Sequence, residues 1–237
     1  MDHGLGHRRR LLSIGAASIT SVALSGCADS LSTVHPAGPA AEAIAALWWV
    51  MLVGSCVIFV LVMALLALAL RRSNVEGRGD GSEGERVWLV GLGLVFPLLV
   101  LLALLAYGLV IGERLAPRDG PEVVTVRAEG RQWEWRFSYA DAPGLVTEGV
   151  LHIPAGTPVD VEITTVDVIH SFWAPRLAGK LDAIPGHVNV LRIEAREPGE
   201  YAGVSAEYSG PGYLDHRFTV IAHDADGWAG FLRGAAP

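Results

Sequence analysis

Cysteine is almost missing from this chain: Cys27 and Cys56 are the only two in 237 residues. Cys56 lies inside an apolar run, so everything after it is without disulfides and without thiolate metal ligands. Lysine is scarcer still, with Lys180 alone. From Pro121 to Pro237 there are 16 carboxylates against 9 basic side chains, a net −7 that equals the charge of the whole chain. That balance disfavours nucleic acid as a partner and would attract a basic protein or simply keep the surface solvated.

Charge is absent altogether from two long stretches. Ala43 to Leu70 and Val87 to Ile111 contain no Asp, Glu, Lys, Arg or His, and each exceeds the roughly 20 apolar residues that cross a bilayer as a helix. Neither shows the polar face a soluble core helix would need, so both are expected to span. Pro97 falls inside the second run, where a membrane helix tolerates a kink. The connection Arg71 to Arg86 holds four arginines, whereas Ala28 to Glu42 holds no lysine or arginine. The asymmetry predicts a cytoplasmic loop, with both ends of the mature chain outside.

The N-terminus opens with "HRRR" (His7 to Arg10), continues with a modest apolar run and reaches "LSGC" (Leu24 to Cys27). This is the layout of a bacterial secretion signal. The cysteine at the cut resembles a lipobox, which implies that Cys27 carries a lipid anchor; an ordinary signal with a stray cysteine is the alternative. The expected division is a signal over 1–26, an outer N-terminal segment over 27–42, spans over 43–70 and 87–111, a cytoplasmic loop over 71–86, a folded domain over 121–223 and a tail over 224–237.

After Pro117 the pattern changes to short alternating segments punctuated by Gly and Pro. Residues 123–129, 133–139, 158–165, 188–195 and 216–222 read as strands. Several strands over about 100 residues predict a two-sheet Greek-key sandwich. "DGWAGFLR" near the end reads as a short helix. The fold class is therefore membrane-anchored and mainly β, a two-helix hairpin followed by a sandwich. Trp133, Trp135, Phe137 and Tyr139 recur at period two and are first of all a packed strand face.

The segment "SAEYSGPGYLDH" (Ser205 to His216) has the spacing of a loop wrapped around a metal, but most of its side chains are poor ligands. Taken with "DVIHSFWAPRLAGKLDAIPG" (Asp167 to Gly186), the two spans and the sandwich, it resembles subunit II of a haem–copper respiratory oxidase. In the cytochrome c oxidases of that family the sandwich is a cupredoxin holding a two-copper centre with two bridging thiolates, two imidazoles, a thioether and a backbone carbonyl. The resemblance places His170 at the first imidazole and Glu207 at the carbonyl. Ser205 and Ser209 fall at the bridging cysteines, Tyr213 at the second imidazole and His216 at the thioether. Serine hydroxyls are hard and keep their protons near neutral pH, so the two-copper centre is expected to be absent. Tyr213 is expected to fill the volume so released.

"SAEYSGPG" is similar to the corresponding loop of quinol oxidases, the branch of the family without copper in subunit II. The resemblance thus implies a subunit of a proton-translocating oxidase that oxidises membrane quinol and reduces oxygen to water. This chain would bind no cofactor itself, with haems and copper on subunit I, and would clamp that subunit in the bacterial inner membrane. Two features fit the cytochrome c branch instead: "KLDAIPG" (Lys180 to Gly186) and the retained Glu207, whose counterpart there helps hold Mg²⁺ against subunit I. Trp133 lies in the tract that carries the electron-entry tryptophan of that branch. Glu85, in "ERVW", resembles a glutamate at the mouth of a proton pathway, although a solvated glutamate at a helix start is commoner. The alternatives are a cytochrome c oxidase subunit with another electron-entry route and a membrane-anchored cupredoxin-like binding or assembly protein outside any oxidase. His170 with His216 as a mononuclear copper or zinc site is a further rival, against which stands the want of a third protein ligand.

Overall fold

A computed structural model describes residues 29–72, 84, 86–117, 120 and 123–234. Cys27 and Glu85 lie outside the described residues. Helix α1 runs Pro39–Arg72. The second apolar helix has two parts, a π-helical stretch Val87–Val95 and the α-helix α2, Phe96–Leu115. The change falls at Pro97, in the first turn of α2, and the Phe96 N–H donates to the Gly91 carbonyl. Proline lacks the N–H that an α-helical turn would use there and crowds the carbonyl four residues back, so a wider turn ahead of it relieves both problems. Both helices are long and apolar enough to cross a membrane, as Pro39–Arg71 and Val87–Leu115.

Beyond them two five-stranded sheets face each other. The strands are β1 (Val124–Arg131), β2 (Glu134–Tyr139), β3 (Val146–Glu148), β4 (Val150–Pro154) and β5 (Val159–Thr165). They continue as β6 (His170–Trp173), β7 (Leu181–Ala183), β8 (Asn189–Ile193), β9 (Gly199–Ser205) and β10 (Arg217–His223). The orders are β3-β2-β1-β5-β8 and β4-β10-β9-β6-β7. Two pairs are parallel, β1 with β5 and β4 with β10, which is how a Greek-key chain crosses between sheets before closing. The fold is a two-helix hairpin followed by a cupredoxin-like sandwich. Helix α3 (Ala225–Leu232) follows β10, with Asp224 capping it by accepting from the Gly227 N–H at 2.8 Å. It lays Phe231 and Trp228 against the sandwich, so residues 225–232 are packed structure.

Alternation places Trp135, Phe137 and Tyr139 of β2 inward, with Val126 and Ala128 of β1 and Val159, Val161 and Ile163 of β5. The second sheet answers with Leu151, Ile153, Phe172, Phe218 and Val220. Phe172 and Phe218 stack with centroids 4.5 Å apart. Gly203 of β9 lies beneath them, and a Cβ there would stand 2.2 Å from the Phe218 ring.

The start of α1 is seated on the sandwich. The Ala37 N–H donates to the Arg176 carbonyl at 2.7 Å and the Arg196 N–H to the Ala37 carbonyl at 3.0 Å. Arg196 also forms a two-bonded ion pair with Glu42. Gly38 is pressed so closely that a Cβ would meet the Glu194 carbonyl oxygen at 2.0 Å.

These contacts separate two glycine substitutions. Gly203→Ala forces the Phe218 ring out of its stack and is expected to lower stability by about 1–3 kcal/mol. Gly230→Ala, in α3 with open space around it, is expected to raise it by up to about 1 kcal/mol through helix propensity. Thermal unfolding of the detergent-solubilised chain and the two variants checks both signs.

Candidate functional site

One end of the sandwich gathers the chemistry-bearing residues. His170 opens β6, Ser205 closes β9, and His216 precedes β10, so register alone brings them together: Phe172 pairs with Ser205, and the Ser205 N–H donates to the His216 carbonyl at 2.9 Å. Glycines shape the loop between. Gly210 and Gly212 have φ of 117° and 104°, and both lie against the Trp133 indole.

His170 and His216 are fully buried, their rings 4.9 Å apart and almost perpendicular. Trp135 stacks on His216 at 5.4 Å, and Trp133 meets the same imidazole edge-on at 6.3 Å. Gly130 of β1 makes room for His170, since a Cβ there would approach its Cδ2 to 3.0 Å. Ser205 and Ser209 are buried as well. The Ser205 hydroxyl accepts from the Ser171 N–H at 3.4 Å.

Tyr213 does not enter this space. A 3₁₀ turn over Tyr213–Asp215, begun at Gly212 in the left-handed region, leaves it half-buried with its ring edge-on to Tyr208 at 5.3 Å. The expectation that Tyr213 fills the interior is corrected: His216 does so. Glu207 is half-buried, with its carboxylate 3.8 Å from the Lys180 ammonium.

The residue that sequence reading passed over is Asp167. Its Oδ1 accepts from His170 Nε2 at 2.8 Å, from the Val168 N–H at 2.6 Å and from the Thr165 hydroxyl at 3.0 Å. Its Oδ2 accepts from the Gln132 N–H at 2.7 Å. Gln132 in turn donates from Nε2 to the Ser209 carbonyl at 2.8 Å, tying the loop to the β1–β2 turn. Desolvation works to raise the Asp167 pKa, but the donors from Gln132, His170, Val168 and Thr165 outweigh it and bring it down to about 2. The only sequence signal was an aspartate three residues before the buried histidine.

Six buried polar atoms among the described residues have no hydrogen-bond partner, and all belong to this end of the sandwich. They are His170 Nδ1, both ring nitrogens of His216, the hydroxyls of Ser171 and Ser209, and Trp135 Nε1. The Glu134 backbone lies close enough to His216 to favour its protonated form, against the effect of burial. An unsatisfied buried polar atom costs about 1–3 kcal/mol, so the concentration is exceptional for a folded interior. No group of three or more His, Cys, Asp or Glu side chains able to hold a metal occurs among the described residues.

A second histidine pair joins the middle of β4 to the last residue of β10. His152 Nδ1 and His223 Nε2 are 2.8 Å apart, and Phe231 of α3 stacks on His152 at 4.2 Å. Burial, reinforced by neighbouring His223, lowers the His152 pKa to about 4.

A family model described as cytochrome c oxidase subunit II, periplasmic domain, matches residues 144–224. The chain is 30% identical over 239 aligned positions to cytochrome c oxidase subunit 2 of Alkalihalophilus pseudofirmus, covering 92% of this chain and 66% of that protein. It is 26% identical over 225 positions to quinol oxidase subunit 2 of Bacillus cereus, covering 90% and 77%. Among solved structures, the periplasmic domain of subunit II of cytochrome oxidase from Bradyrhizobium japonicum aligns at a TM-score of 0.46 and 24% identity, over 51% of this chain and 96% of that one.

Two pH windows follow from the buried groups. Burial first, and His170 second, depress the His216 pKa to about 4 against an ordinary 6.5; His152 behaves alike. Between those values the unfolded chain takes up protons that the folded chain refuses, so stability falls as pH drops from about 6.5 to 4. The Asp167 contribution is complete above its ordinary 3.8 and is lost towards pH 2. Denaturant titrations at stepped pH are expected to show a shallower loss across the upper window in His216→Phe. Asp167→Asn is expected to lose stability at neutral pH and to show less further loss below about pH 4.

Proposed function

The chain belongs to the oxidase subunit II family, which takes in second subunits of both cytochrome c and quinol oxidases, and from that premise we propose that it serves a quinol oxidase. The observation that carries the choice is the pair Ser205 and Ser209 at the two bridging positions. Their hydroxyls are neutral, hard oxygens, and a two-copper centre needs soft, anionic sulfur shared between both ions. The donors present do not fit that centre, and no electron path is drawn through it.

In this reading electrons reach the oxygen-reducing subunit directly from quinol in the membrane. Two quinols and one O₂ give two quinones and two waters, with the redox groups on subunit I. This chain binds, orients and covers. Its helices expose apolar side chains along their length, among them Leu66, Leu70, Leu99 and Leu109, to lipid or to the helices of subunit I. The seat of α1 on the sandwich, through Ala37, Gly38 and the Glu42–Arg196 pair, would hold the outer domain at a fixed attitude above them.

The same reading places the protein in the bacterial inner membrane, with the loop between the spans cytoplasmic, the sandwich periplasmic and a lipid on Cys27. Glu207 would offer its carboxylate to Mg²⁺ at the contact with subunit I, where Lys180 now stands as the neighbouring cation. Glu85 would stand at the cytoplasmic mouth of a proton path. The cytochrome c reading keeps one supporting observation, the retained Lys180–Glu207 pair beside the "KLDAIPG" segment.

Oxygen consumption by the complex, purified through a tag on this chain, decides between donors. Turnover with a short-chain quinol and none with reduced cytochrome c is expected. The opposite pattern would overturn the quinol reading, and recovery of the chain without any haem-bearing partner would remove it from the oxidases altogether.

A further inference from the structure

Aromatic side chains mark the border of the two apolar helices on the side of the sandwich. Trp48 and Trp49 of α1 and Tyr107 of α2 are exposed, and Trp and Tyr collect where hydrocarbon gives way to headgroups. At 1.5 Å per residue, Ala43 stands about 7 Å beyond Trp48, and Arg114 about 10 Å beyond Tyr107, along their helices. The headgroup layer adds about 5–8 Å to each side of a bilayer. Both residues are therefore at, or just above, the phosphates.

A pocket of about 290 Å³ opens at that depth, between Ala40 and Ala43 of α1, Arg114 of α2, and Arg192 and Glu194 of the sandwich. Its charges are of both signs. Arg114, exposed at the end of α2, and Glu194, half-buried after β8, have no ion-pair partner among the described residues. Arg192 is held by Asp160 through two hydrogen bonds of 2.7 Å and gives the sandwich wall its shape. A second cavity, an apolar groove of about 430 Å³, runs between the helices at the level of Val50, Gly54, Ala103, Leu104 and Tyr107. Helical spacing sets it under the first. Ala43, Val50 and Gly54 follow one another by seven and four residues, as do Arg114, Tyr107 and Ala103 in the other direction, and such steps return to nearly the same face of a helix.

We propose that the pocket and the groove together hold one phospholipid with a primary-amine headgroup, phosphatidylethanolamine. Its phosphate rests on Arg114, its ammonium donates to Glu194, and one acyl chain lies in the groove. A cationic and an anionic side chain above an apolar slot match a zwitterion with a tail. A purely anionic headgroup would meet repulsion from Glu194, and a choline headgroup has no N–H to give it. Size agrees as well. Sites for whole small ligands take about 300–1,000 Å³, so the upper pocket suits a headgroup and the groove receives a chain. The site goes beyond the quinol oxidase reading and does not depend on it.

The test is native mass spectrometry of the full chain in detergent, supplied in turn with dioleoyl phosphatidylethanolamine, phosphatidylglycerol and phosphatidylcholine. One phosphatidylethanolamine per chain is expected, retained about tenfold better than either of the others. Arg114→Gln and Glu194→Gln should each lower that retention about tenfold. Gly54→Leu should remove it by filling the groove. A Cβ at Gly54 meets nothing within 4 Å, so this variant serves where a headgroup variant fails to fold. Equal retention of the three lipids, or retention unchanged in the Arg114 and Glu194 variants, would overturn the proposal and leave only annular lipid. So would a preference for phosphatidylglycerol, or displacement of the lipid by a short-chain quinol, which would make the groove a quinol site. Oxygen consumption is read in none of these arms, so this proposal and the choice of electron donor fail separately.

Discussion

One carboxylate organises the site end of this molecule. Asp167 gathers donors from the β1–β2 turn, the end of β5 and the start of β6, and so locks three stretches that the chain reaches at residues 132, 165 and 168–170. Charge-assisted hydrogen bonds are stronger than neutral ones and hold their geometry better. Here they fix the tautomer of His170, the position of Gln132 and, through Gln132, the backbone of the Ser209 loop. The packing of Trp133 and Trp135 around His216 depends on that frame.

The frame is costly in a way that is informative. Natural interiors leave few polar atoms unpaired, yet the unpaired atoms among the described residues gather around two imidazoles at one end. The rest of the sandwich is conventionally satisfied, with an apolar interior of Phe137, Phe172, Phe218 and their neighbours. Tyr213, the bulky residue of the loop, stays half-buried beside Tyr208.

The sandwich is also tied to the start of the first apolar helix. Gly38 exists to permit backbone contact with Glu194, and the bonds of Ala37 to residues 176 and 196 make the junction stiff. These contacts hold the sandwich in one attitude relative to the start of α1. An exposed ion pair such as Glu42–Arg196 adds little by itself; the close backbone approach at Gly38 is the specific element.

Much of this was legible in the sequence. Uncharged runs dictated two helices long and apolar enough to span, since a bilayer admits little else of that length and polarity, and the strands that alternate or are rich in β-branched residues, β1, β2, β5, β8 and β10, declared themselves. The shorter strands β3, β4, β6, β7 and β9 did not. His170-Ser171-Phe172-Trp173 is buried on both faces and shows no alternation, and β9 is interrupted by Gly203, whose reason is the Phe218 ring on another strand. The positions of Ser205, Ser209 and His216 could be named from spacing. Which of them face inward could not, because that follows from the turn at Gly212 and the register of β6 with β9 and of β9 with β10. Residue identity thus determined that the loop offers hydroxyls and not thiolates at 205 and 209, since a serine oxygen is hard wherever it sits. Only the tertiary structure decided that Asp167 stands behind His170 and that His216, not Tyr213, comes to face it, because long-range pairing sets those distances.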